Sequence, residues 1–300
     1  MFEVFFLGTG AAIPSKDRGH TTIAVRRNGE ITLLDCGEGA QREMIKNGLS
    51  IMKVRRILIT HLHADHAAGL FSLPQSLYLL NRREPLDIYG PKGIKSMGTA
   101  FEKFFFFEPD YAIRYHELPE EEALVYSDSE IEIRSVGVEH SLPTVAYSIR
   151  EKDRLHLDAK KANGLGVKPG PLRKNLTDGK DIVVNGKKVR SKDVTKLEKG
   201  LKISYSGDTA PCQSFKKLAR DSDLLIHEAT FRAEKEAESK EYGHSTSVGA
   251  AKVAKETNSK KLALVHISPR YEEPKELEKE AKAVFRNTVA SKDGMKLVLK

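Results

Sequence analysis

The chain has 300 residues, 39% of them hydrophobic and 31% charged, a balance that suits one large α/β unit and excludes a disordered or collagen-like chain. No stretch approaches the ~18 consecutive apolar residues of a membrane helix, the first residues read as a strand and not as a signal peptide, and two cysteines, Cys36 and Cys212, are too few for a disulfide framework, so a reducing, cytoplasmic setting is the expectation. The net charge of +8 is unevenly spread: residues 151–200 hold fourteen Lys and Arg against seven Asp and Glu, and the rest of the chain nearly balances, which points to a polyanionic partner for that one segment.

In chain order, Phe2–Leu7 is a short apolar strand. Thr21–Arg26 and Ile31–Asp35 flank Asn28-Gly29, the strongest short signal for a hairpin. Ala40–Lys46 reads as a helix and Arg56–Thr60 as a buried strand. Residues 66–80 read as a helix that Pro74 starts, kinks or splits. Leu86–Tyr89, Ile131–Glu139 and Val145–Ile149 are further strands, and the run Phe104–Phe107 is core, or an interface if part of it is exposed. Residues 152–198, rich in Gly, Pro and Lys, hold only weak strands at 181–184 and 187–189 and look like an inserted arm. The core pattern then resumes. Strands are expected at 201–206, 223–227, 261–266 and 294–299, with helices near 212–219, 247–257 and 277–286.

The chemistry concentrates in His61-Leu62-His63-Ala64-Asp65-His66, directly after a strand. Imidazole and carboxylate are the ligands of zinc and similar metals. His61 and His63 fall on one side of an extended loop, and Asp65 and His66 can turn to a second position, so four ligand-type residues in six suit two adjacent metals. His140, Asp208 and His266 each follow a later strand, where α/β sheets carry their sites, and a carboxylate such as Asp208 can bridge two ions. His20, His116 and His156 lack this placement and are left as surface or secondary residues. Two metals a few Å apart can activate water and clamp a phosphodiester. Asp65 can orient or accept the nucleophile's proton, and His227-Glu228 and His244 are candidates for a Glu–His proton donor.

At these residues the chain resembles the metallo-β-lactamase superfamily and, within it, the ribonuclease Z family of tRNA 3′-processing endonucleases. The resemblance spans nearly the whole chain. It includes Gly8-Thr9-Gly10, Asp35-Cys36-Gly37-Glu38-Gly39-Ala40-Gln41, the 61–66 cluster, Ser206-Gly207-Asp208-Thr209, His227-Glu228-Ala229-Thr230-Phe231, Gly243-His244-Ser245-Thr246 and His266-Ile267-Ser268-Pro269-Arg270-Tyr271. The first cluster specifies only the superfamily; the His-Glu-Ala-Thr-Phe, Gly-His-Ser-Thr and Ser-Pro-Arg-Tyr segments are specific to ribonuclease Z. The resemblance implies a single four-layer αββα sandwich over residues 1–300 with an inserted flexible arm, and two zinc ions per subunit. One zinc would be bound by His61, His63, His140 and Asp208, the other by Asp65, His66, Asp208 and His266. It further implies Asp65 as general base, Glu228 with His244 protonating the leaving group, precursor tRNA as substrate, and a homodimer whose basic arm, with Gly164-Leu165-Gly166-Val167-Lys168-Pro169-Gly170-Pro171 as its tip, grips the tRNA elbow. Where the family usually has Asn after Pro14-Ser15-Lys16-Asp17-Arg18, this chain has Gly19-His20, in a loop that bears on how CCA-ending tRNA is treated. The alternatives are a small-molecule hydrolase of the same fold (a phosphodiesterase, lactonase or thioesterase) and an RNA-binding module with a vestigial site, which the full ligand set disfavours.

Overall fold

The computed structural model describes residues 1–300. Six strands open the chain: β1 (Phe2–Gly8), β2 (Thr22–Arg27), β3 (Glu30–Leu34), β4 (Val54–Leu58), β5 (Leu86–Gly90) and β6 (Ile113–Glu117). They lie side by side in chain order, with the last strand of the protein added beside β1. The β2–β3 hairpin turns on Asn28 (φ 49) and Gly29 (φ 80), the paired positive φ that such turns require. β3 to β6 run parallel.

The second half repeats the layout. β7 (Ala123–Ser127), β8 (Ile131–Gly137) and β9 (Val145–Glu151) form an antiparallel meander. After the arm come β14 (Lys202–Tyr205), β15 (Leu224–Glu228), β16 (Leu262–Val265) and β17 (Thr288–Ala290), and β18 (Met295–Leu299) returns to the first sheet. Here β14 to β17 are parallel.

Three buried apolar layers separate four structural ones. β1 illustrates the period-2 alternation that builds them: Phe2, Val4 and Phe6 face the second sheet, where they join Ile133, Tyr147, Ile203 and Val265. Phe5 and Leu7 face the other way, under the helices α1 (Ala40–Lys46), α2 (Ala64–Ala67), α3 (Leu73–Leu79) and α4 (Ile94–Phe104). The outer face of the second sheet is covered likewise by α8 (Gln213–Leu218), α9 (Ser247–Glu256) and α10 (Lys275–Val284). The result is the expected αββα sandwich. No helix is long and apolar enough to cross a membrane.

Three expectations change in detail. The helix at 66–80 is split into α2, a 3₁₀ turn over Ala68–Phe71, and α3, with Pro74 in the first turn of α3, where a missing N–H is tolerated. Of the Phe104–Phe107 run only Phe107 is buried; Phe104, Phe105 and Phe106 are 78, 53 and 94% exposed. The arm is more than weak strands. A two-stranded ribbon of β10 (Arg154–Leu157) and β13 (Thr195–Glu198) carries α5 (Ala159–Gly164), α6 (Pro171–Thr177), the hairpin β11 (Ile182–Val184) and β12 (Lys187–Val189), and α7 (Ser191–Val194). These close on a six-residue core that includes Val167, Leu176 and Val189.

Candidate metal centre

The two sheets bring their strand ends to one edge of the sandwich. The loop after β4 carries His61 and His63 and leads into α2, which holds Asp65 and His66; the loops after β8, β14 and β16 carry His140, Asp208 and His266; Glu228 ends β15. All seven predicted ligands converge. Ligand atoms of His61, His63 and His140 lie within 4.8 Å of one another, as do those of His61, His66 and Asp208, and of Asp65, His66 and His266. Asp208 sits between these groups: its Oδ2 lies 3.6 Å from His61 Nε2, 3.4 Å from His66 Nε2 and 3.2 Å from His266 Nε2. Gly207 makes that approach possible, because a Cβ there would stand 2.7 Å from Thr60 Cβ across the sheets.

The donor set fits metal ions. His66 Nε2, His140 Nε2 and Asp208 Oδ1 are buried with no hydrogen-bond partner, a costly state unless a cation satisfies them. Burial holds the His61, His63 and His140 imidazoles below their ordinary pKa, in the neutral form that binds metal. Burial pushes the Asp208 and Asp65 carboxyls up, but the neighbouring imidazoles, His266 and His66 above all, outweigh it and leave both ionised. His66 is also buried, yet Asp208 and Asp35 hold its ring above the usual range; with Asp35 on Nδ1, a cation held at Nε2 beside Asp208 would take the place of the second ring proton.

Hydrogen bonds behind the ligands fix their rings, and residue reasoning missed them. Asp35, fully buried and at φ 57, accepts at Oδ1 from the backbone N–H of Thr60 (2.7 Å) and at Oδ2 from His66 Nδ1 (2.7 Å) and the Tyr205 hydroxyl (2.6 Å). Thr60 Oγ1 meets His61 Nδ1 at 3.0 Å, His140 Nδ1 donates to Gly243 O at 2.9 Å, and Thr230 Oγ1 meets His266 Nδ1 at 2.8 Å. Each contact selects the tautomer that leaves the other ring nitrogen free for a metal. Asp35 was within reach of the strand-end rule, since it follows β3. Thr60 and Thr230 carry no ligand chemistry and gave no signal.

Beside this cluster stands the candidate proton-donor pair. Glu228 is fully buried; its oxygens accept from Thr209 N (3.0 Å), Thr230 N (3.1 Å) and the Thr230 hydroxyl (2.8 Å). His244 Nδ1 lies 2.8 Å from Glu228 Oε1. Against the effect of burial, that carboxylate raises the His244 pKa to about 9, so the imidazole carries a proton at neutral pH. His227, the other candidate, faces the opposite side of β15, packed on Phe215, and burial holds it neutral. Of the histidines set aside, His116 pairs with Asp87 and stacks on Tyr89, His156 lies in the arm ribbon, and His20 is half-buried; none joins the metal-type clusters.

The fold and this ligand constellation define a hydrolase of the metallo-β-lactamase class, and a β-lactamase superfamily domain model matches residues 186–267. A second model, that of the anti-Pycsar protein Apyc1, matches residues 2–97. Over its whole length the chain is 43% identical to the ribonuclease Z of Methanothermobacter thermautotrophicus, covering 97% of that protein. It is 39% identical to that of Metallosphaera sedula, with 98 and 97% of the two chains aligned. The crystal structure of the short form of human tRNase Z superposes with a TM-score of 0.74 at 28% identity, covering 99% of each chain. The chain belongs to the ribonuclease Z family of phosphodiester-cleaving endoribonucleases.

Proposed function

We propose that this enzyme removes the 3′ trailer from precursor tRNA in a zinc-dependent reaction. The observation that carries the reading is the juxtaposition of a complete dinuclear ligand set with the buried Glu228–His244 pair. His61, His63, His140 and Asp208 would hold one zinc, and Asp65, His66, Asp208 and His266 the other. Two such ions supply Lewis acidity at the scissile phosphate. Asp65, at the edge of the cluster, accepts a proton from the attacking water. His244, held protonated by Glu228, gives its proton to the leaving oxygen as the P–O bond breaks, a step that matters most where the leaving group is a poorly acidic sugar hydroxyl.

The arm at 152–198 supports the choice of RNA. It holds most of the chain's excess positive charge, and its own small core lets the surrounding Lys and Arg stand in solvent, where they can contact phosphates; binding is then strongly salt-dependent and reads folded RNA by shape. The exposed Phe104–Phe106 surface, continuous with Phe71 through Phe101, supports a homodimer. The free, buried Cys36 and Cys212 fit a cytoplasmic setting. Incubating the purified zinc-loaded protein with a 3′-extended tRNA precursor, with and without CCA, tests the proposal: a single cut near the end of the acceptor stem is expected, and an intact precursor would refute it.

A further inference from the structure

Ala12 is strained where nothing in the loop's own folding requires it. Its φ is 54, and the Ile13 N–H closes on Ala11 O at 2.6 Å, which makes residues 11–13 a γ-turn of positive φ, a rare and costly conformation for a residue with a Cβ. Non-glycine residues held this way concentrate at functional sites. Of the eight others in this chain, Asp35 and His266 belong to the metal centre, and the remaining six lie away from it. The turn aims the Ala12 N–H inward, onto Asp65 Oδ2 at 2.9 Å. That oxygen also lies 3.3 Å from His266 Nε2 and 3.5 Å from His66 Nε2.

We infer that the loop between β1 and β2 is a bracket whose Ala12 amide positions the Asp65 carboxylate. Its feet are fixed. Asp293 accepts from the Thr9 hydroxyl at 2.7 Å and from Gly19 N at 2.6 Å. Arg18, 7% exposed, donates to Ser291 O at 3.0 Å. The backbones of Thr9 and Ala11 exchange hydrogen bonds with that of Ile267, next to the ligand His266. The span from Ala12 to Asp17 is exposed, so the loop touches solvent, and any RNA, on one side and Asp65 on the other. The amide is the one donor outside the histidine cluster that reaches this carboxylate. Ala12 is thus a positioning residue, acting through its main chain.

The inference rests on Asp65 being a metal ligand, and its test reads metal affinity directly. A backbone ester at position 12, lactic acid in place of Ala12, replaces the N–H with an oxygen, with the lesser effect of weakening the Ala11 carbonyl as acceptor from Ile13 N. Competition with a chromophoric chelator should find the second equivalent of zinc bound about 10- to 100-fold more weakly, the usual effect of losing a partner behind a ligand, with the first equivalent unchanged. Ala12→Gly keeps the N–H and relieves the strain, and should keep wild-type affinity. Asp293→Ala, which frees the loop's feet, should weaken the same equivalent, with the melting transition of the body reporting that the fold is intact. Equal affinity for both equivalents in the ester and wild-type proteins would overturn the inference. Wild-type protein that binds no second zinc would instead overturn the dinuclear reading on which it stands.

Discussion

The metal centre and the arm handle polar residues in opposite ways. At the centre, Asp35, His61, His66, Asp208, Glu228 and His266 are all buried, and the imidazoles are held by hydrogen bonds to Asp35, Thr60, Gly243 and Thr230. In the arm six apolar residues form the core, and Lys161, Lys188 and Arg190 keep more than half of their side chains exposed even where they pair with carboxylates. The first arrangement fixes atoms to fractions of an ångström, as catalysis demands. The second supplies charge at long range, where position matters less and salt matters more. Substitutions at the centre should therefore act on turnover and metal binding, and those in the arm on RNA affinity.

The largest effect is expected at the shared carboxylate. Asp208→Ala should lose bound metal and lower RNA cleavage by at least about 10³-fold, measured by metal analysis and single-turnover assay. His244→Ala should lower cleavage of RNA by about 10²- to 10⁴-fold but spare bis-p-nitrophenyl phosphate, whose leaving group needs no proton. The acid form of His244 is present below its raised pKa, so RNA turnover should fall as pH rises through about 9, and this limb should be absent for the activated ester. Asp35→Asn keeps the shape but loses the charge behind His66, and should cost about 10- to 100-fold in metal affinity or activity. The smallest effect on chemistry belongs to the arm. The ribbon closes at Leu157 and Thr195, so residues 158–194 can be replaced by a short Gly-Ser linker. The Michaelis constant for tRNA should rise and its salt dependence flatten by about one power of salt per lost phosphate contact, with hydrolysis of bis-p-nitrophenyl phosphate unchanged. Equal losses on both substrates would erase the distinction between the two regions.

What could be read without coordinates follows the same division. The seven candidate ligands, which the fold brings together, were legible because six residues hold four of them and strand ends hold the rest. The order of the buried strands was legible in their continuous apolar runs, whereas the four-layer sandwich was implied only by the family resemblance. β6 and β7 escaped because they are half-exposed edge strands with no fully buried position. The arm's helices escaped because they are short and rich in Lys and Asn, with one buried residue each in α5 and α6. The contacts from Asp35 to His66 and to Tyr205 span 31 and 170 residues, and no local pattern encodes such a pairing. Ala12 gave no signal at all, since only its backbone acts.

If one dinuclear zinc centre on this chain cuts precursor tRNA, cleavage must follow zinc loading. The most direct measurement starts from chelator-stripped protein and follows cleavage of a 3′-extended tRNA precursor as zinc is added back. No cleavage is expected at the start, followed by a rise that saturates at two zinc ions per chain. Stripped protein that cuts as fast as the loaded form, or protein that holds two zinc ions and leaves the precursor whole, would contradict it.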